Sequence, residues 1–194
     1  MGIRSFIALP VPEEVTHHLA RLHLTVPPRA GKIRWVKAEA MHLTCSFLGD
    51  IEAGQVESIG DAMAGAVAGI APFITSLDGI GAFPNFRRPR VVWVGFADGH
   101  EETVELKARL DDALESLGFE PERRRFHPHL TIGRVKEGGD RGVLEHAAAD
   151  WVIPFENWVS DELILFQSVL SRNGPTYTPL VRAQLGNDNV GPAC

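Results

Sequence analysis

Two different hydrophobic periods run along this chain, and the switches between them lay out its elements. Residues 3–9 form an apolar run of strand length, after which Pro12-Glu13-Glu14 opens a helix with Val15, Leu19 and Leu22 on one face, closing before Pro27-Pro28. Residues 33–36 and 41–48 read as strands, the second broken by Gly49-Asp50, and an Ala- and Gly-rich helix is predicted over residues 53–68. An extended stretch, 73–83, carries Gly79 and Gly81 as expected bends. The order then repeats: a β-branched strand at 91–96, a turn at Asp98-Gly99, an amphipathic helix over 101–117, and a strand over 126–135 in which Pro128 calls for a bulge or an edge. Residues 141–149 predict a short helix and 152–159, 162–170 and 177–185 closing strands; one domain over 1–186 is followed by a flexible tail, 187–194. Strands alternating with helices in two similar halves predict an α+β or α/β protein of two sheets with helices outside and a ligand cleft between the halves.

Composition narrows this picture. With 194 residues, 44% of them hydrophobic, the chain can bury a sizeable core unaided. Cys45 and Cys194 make neither a disulfide framework nor a zinc spacing, and no signal peptide or membrane helix is evident, so a cytoplasmic protein is expected. A net charge of −6 argues against coating a long nucleic-acid duplex but leaves a short or terminal phosphate open. Local charge runs the other way at Arg87, Arg88 and Arg90 and at Arg123, Arg124 and Arg125. For each triplet alone, a solvated face or a protected strand edge is the bland explanation.

The candidate chemistry lies in His42-Leu43-Thr44-Cys45 and His129-Leu130-Thr131-Ile132, one in each half of the chain. Successive strand side chains point to opposite faces, so each histidine shares a face with its threonine while the leucines point to the core. Brought together, the motifs offer two proton-transfer groups and two hydroxyl donors around one small anion, a set suited to phosphoester chemistry without a metal. Eight His and eight Thr would give roughly 0.3 such triplets by chance, so the shared leucine and the strand-like context carry the weight.

With these motifs go Phe6-Ile7-Ala8-Leu9, Arg34-Trp35-Val36, Phe47-Leu48-Gly49 after the first histidine, and Pro128 before and Gly133-Arg134 after the second. Over nearly its whole length the chain resembles the 2H phosphoesterases, specifically the bacterial and archaeal RNA 2′,3′-cyclic phosphodiesterases once called 2′-5′ RNA ligases. The resemblance implies an α+β fold of two pseudosymmetric lobes, each an antiparallel-rich sheet with helices on the outside, the tandem motifs facing across a central cleft. It implies hydrolysis of 2′,3′-cyclic phosphates on RNA ends or nucleotides to 2′-phosphomonoesters, with no cofactor and no metal. His42 would then be the proton donor and His129 the proton acceptor, with Thr44, Thr131 and Arg134 binding the phosphate. A monomer without membrane attachment is expected.

Cys45 departs from the family's usual aliphatic residue and reads as a buried filler. Phe83, beside Phe86 and the arginines of a Gly/Pro-rich loop, is a candidate to stack on a nucleobase. Three rival functions stay open: a zinc hydrolase using His42, His127 and His129, a reversible 2′-5′ RNA ligase, and a non-catalytic module that binds RNA ends or nucleotides. His17, His18 and His23 are expected exposed on the first helix, and the four tryptophans in the core or the cleft wall.

Overall fold

Alternation in the two motif strands is the local rule from which the sheet is built. The computed structural model describes residues 2–140, 142–151, 157–172 and 174–186. Its strands are β1 (Ile3–Leu9), β2 (Gly31–Trp35), β3 (Leu43–Ile51), β4 (Phe73–Phe83), β5 (Val91–Phe96), β6 (Leu130–Gly138), β7 (Asn157–Ser160), β8 (Glu162–Ser171) and β9 (Gly174–Gln184). They pair antiparallel in the order β7-β4-β5-β6-β3-β1-β8-β9, with β2 added to β6. The helices are α1 (Glu13–Arg21), α2 (Val56–Val67), α3 (His100–Glu115) and α4 (Val143–Ala149).

Two lobes meet at the middle of this path, as expected, but hydrogen bonding does not stop between them. The junction is a single pair, Leu43 opposite Leu130, the central residues of the two motifs. Both are buried, at 1% and 0% exposure, and share one core with Val15 and Leu19 of α1, Ile59 and Met63 of α2, and Leu106, Leu110 and Leu114 of α3. The α3 positions recur at the 3.6-residue period and present one apolar stripe to the sheet. The helices thus cover one face of the junction and leave the histidine face uncovered by this core.

The lobes do not coincide with the halves of the sequence. One lobe packs β4 from the first half against β5 and β6; the other packs β8 from the second half against β1 and β3. Each half therefore lends its later strand to the other.

Bulges correct several sequence expectations. Gly49 does not end the first motif strand: it takes a left-handed φ of 73°, Leu48 is looped out of register, and β3 continues to Ile51. A second bulge places Cys45 between the partners of Ile7 and Ala8, and Ile132 occupies the same kind of site in β6 between the partners of Val92 and Trp93. Both motif strands are thus bulged at the residue after the threonine. Pro128 is not inside a strand, because β6 begins only at Leu130, which frees the ring from any ladder position. Gly79 bends β4 as expected, with φ 68°, but Gly81 does not: a Cβ there would sit 2.1 Å from the Trp93 indole, so the glycine lets that ring lie flat on β4. The predicted strand at 152–159 falls partly, and the predicted tail wholly, outside the described residues.

Truncation at the junction tests its weight. Leu130→Ala should cost about 2–5 kcal/mol in urea denaturation, against under about 1.5 kcal/mol for Leu130→Met.

Candidate active site

His42 and His129 each occupy the position just before their strand, where the backbone has left the ladder and can turn back on the ring. The His129 Nδ1–H donates to the carbonyl of His127 at 2.6 Å, and the backbone of Ala40, the corresponding residue of the first motif, raises the proton affinity of the His42 ring. Each imidazole is therefore influenced by the backbone two residues earlier, and the His129 ring is held by it. For His129 this fixes the Nδ1–H tautomer and leaves Nε2 as the free, proton-accepting nitrogen. The antiparallel pairing of Leu43 with Leu130 joins the two motifs at their central residues, so His42, Thr44, His129 and Thr131 project from one face of the junction. Among the described residues neither Thr44 nor Thr131 has a side-chain hydrogen-bond partner, and both hydroxyls are available to a ligand.

Aromatic walls desolvate the two rings. His42 stacks on Phe6 with centroids 4.5 Å apart and meets Tyr177 edge-on at 5.1 Å. His129 lies edge-on to Phe83 at 5.0 Å and near Trp93 at 6.2 Å. Burial pushes the His42 pKa down to about 4; the Ala40 carbonyl opposes this and the Arg134 charge adds to it. His129 is lowered too, chiefly by burial, with the His127 carbonyl opposing and the charges of His127 and Arg134 contributing. At neutral pH the ligand-free pair is uncharged.

Positive charge comes instead from arginine. Arg134 on β6 stands directly opposite Arg34 on β2, an arrangement that costs stability unless an anion sits between or above them. Both are exposed, and among the described residues neither has a carboxylate partner. Their field, with that of Arg4, also reaches Tyr177, whose phenol is nevertheless raised by burial. Bulges, aromatic walls and unpaired arginines thus surround two neutral imidazoles and two free hydroxyls, a set that can offer a small anion hydrogen bonds and charge and can accept or give protons.

A family model described as LigT like phosphoesterase matches the chain twice, over residues 9–93 and again over 95–177. The chain belongs to this family. It is 33% identical over 181 residues to the RNA 2′,3′-cyclic phosphodiesterase of Methanothermobacter thermautotrophicus, covering 93% of this chain and 97% of the relative. A protein of the same name from Thermotoga maritima is 32% identical over 182 residues, 94% and 95% of the two chains. Among solved structures, TT0787 of Thermus thermophilus superposes with a TM-score of 0.78 at 27% identity, over 96% of this chain and 100% of that one. E. coli LigT complexed with 3′-AMP gives 0.74 at 27% identity, with the same coverage.

Within this LigT-like phosphoesterase, the other sequence candidates fall into place. Cys45 is buried at 3% exposure, and burial pushes its thiol up to about 12, consistent with a filler and not a nucleophile. His127 is exposed and serves the site through its carbonyl, so Ala40 is its equivalent in the first half although the side chains have nothing in common. Among the described residues no three His, Cys, Asp or Glu side chains converge as metal ligands, so His42, His127 and His129 do not form the three-histidine set of the zinc alternative. His17 and His18 are exposed on α1, whereas His23 sits in the 3-10 turn beyond it. Arg34, Tyr177 and Phe6 were given no site role from the sequence, and Trp93 was expected in the core or the cleft wall, where the structure sets it near His129. Phe6 and Arg34 did stand in the Phe6-Ile7-Ala8-Leu9 and Arg34-Trp35-Val36 matches, but only the β2–β6 register reveals the place of Arg34.

Because both folded-state histidine pKa values lie below 6.5, the unfolded chain binds more protons as pH falls. The LigT-like fold should hold its full histidine contribution above pH 6.5 and lose it progressively toward about pH 4. Urea midpoints across this range should fall less steeply for His42→Gln than for wild type.

Proposed function

We propose that this chain is an RNA 2′,3′-cyclic phosphodiesterase that opens terminal cyclic phosphates to 2′-phosphomonoesters by proton transfer between two histidines. The observation that carries this reading is the antiparallel pairing of the two motifs through Leu43 and Leu130, which puts both imidazoles and both unpartnered threonine hydroxyls on one face. The names of the relatives support the substrate class, as does the binding of 3′-AMP by E. coli LigT. Phosphate oxygens are held by Thr44, Thr131 and Arg134, the arginine supplying charge and the hydroxyls direction. Phe83, edge-on to His129, walls the cleft on the side where a base lies.

His129 Nε2 takes a proton from water as the water oxygen bonds to phosphorus. The bond from phosphorus to O3′ breaks, and His42 gives its proton to that oxygen, leaving the phosphate on O2′. His42 is neutral in the free protein, so it gains this proton as the anionic substrate enters and offsets the burial that lowered its pKa. Each histidine role is typically worth ~10²–10⁴ in rate. His42→Ala and His129→Ala should each fall by about that factor in kcat on a 2′,3′-cyclic nucleotide, and full activity in either would overturn the pair. The product should be the 2′-phosphate by phosphorus NMR; a 3′-phosphate would overturn the leaving group.

The pH profile is equally specific. kcat/KM reports the free enzyme, so its bell should have both limbs below 6.5, one of them near 4, with activity declining toward neutrality. Replacing either histidine should remove one limb.

A further inference from the structure

The basic residues of this acidic chain are not spread evenly. Residues 79–97 and 123–136 hold eight of its 19 Lys and Arg and none of its 25 Asp and Glu. Both segments flank His129. The first is the β4–β5 hairpin, which starts at Phe83 against the His129 ring and returns at Arg90. The second is the approach to β6, whose His127 carbonyl holds His129 and whose Arg134 faces the cleft.

The hairpin is fixed at its base. The Arg90 amide donates to the Phe83 carbonyl at 2.7 Å, and the Arg90 carbonyl accepts from Val135 at 2.9 Å, next to Arg134. At the tip, Asn85 Oδ1 accepts the amides of Arg87 and Arg88 at 3.0 and 3.1 Å, so the backbone carrying both arginines is ordered. Arg87, Arg88 and Arg90 are exposed, and among the described residues none has an ion-pair partner. Elsewhere on the surface the exposed Arg109 and Arg182 do find carboxylates, Glu105 and Glu162. The flank of His42 is different in kind: five residues past His42 stands Phe47, 71% exposed and beside Phe6, where five residues past His129 stands Arg134.

We infer that the hairpin bearing Arg87 and Arg88 is a phosphate-tracking arm that holds the single-stranded RNA upstream of the cyclic end, making an oligonucleotide and not a mononucleotide the preferred substrate. This rests on the proposed function of the site. A cyclic mononucleotide has one phosphate, which Thr44, Thr131 and Arg134 occupy. Only a longer strand has further phosphates to bring to the arm. A few contacts suit a single strand, whereas the net charge of −6 disfavours wrapping a long duplex.

The test compares a 2′,3′-cyclic mononucleotide with a single-stranded RNA of about eight nucleotides ending in a cyclic phosphate. Wild type should show higher kcat/KM on the oligomer, falling with salt by a log-log slope of about −0.7 for each phosphate contact. R87A/R88A should lose about tenfold on the oligomer and flatten that slope by about 1.4, while mononucleotide hydrolysis stays within about twofold. R87K/R88K should retain most of the oligomer preference, since a point charge suffices for phosphate. Equal use of both substrates by wild type, an equal loss on both in R87A/R88A, or an unchanged salt slope overturns the inference. If wild type opens neither substrate, the reading of the catalytic site is at fault. Fluorescence anisotropy with the same RNA bearing a 3′-hydroxyl then still decides the arm: tighter, salt-sensitive binding by wild type than by R87A/R88A supports it, and equal binding overturns it.

Discussion

Everything in this molecule turns on one antiparallel contact, Leu43 against Leu130. The pair is buried on the helix side, which forces the residues before and after each leucine to the opposite face. Because the strands run in opposite directions, the order histidine-leucine-threonine on one becomes threonine-leucine-histidine on the other. A single hydrophobic contact therefore decides which chemical groups are neighbours. A slip of one residue would send the histidines into the core and the leucines into the cleft, so packing energy and catalytic geometry are enforced together.

Around that contact the site balances desolvation against charge. Aromatic rings on both sides strip water from the imidazoles and hold them neutral, while Arg34 and Arg134 repel each other across adjacent strands without a protein anion to separate them. Both are unfavourable in the empty cleft and both are relieved by the same event, entry of an anion. Under the proposed function, phosphate binding and proton uptake are coupled through these electrostatics.

Much of this was legible in the sequence because it depends on local rules. Strand parity set the shared face of His42 and Thr44, and β4 and β5 begin and end where their apolar runs do. What was not legible is non-local. Bulges at Leu48, Cys45 and Ile132 are properties of strand pairs and leave no signature in either strand alone, apart from Gly49. Arg34 joins the site only through its register with Arg134, and Tyr177 reaches His42 from near the far end of the chain. The Ala40 and His127 positions show a subtler limit: they are equivalent through their carbonyls, and a carbonyl is present in every residue.

The exchange of later strands between the two halves has a consequence for how such a molecule could arise. A chain with one motif could build neither lobe alone, because its β4 or β8 completes the other half's sheet. It could make the cleft only as a homodimer, with one histidine from each copy related by a two-fold axis. Symmetry would then compel both histidines into identical surroundings, and neither could specialise as acid or base except transiently. A single chain that carries both motifs is free of that restriction, and its two sides do differ: Phe47 stands five residues past one histidine where Arg134 stands five past the other.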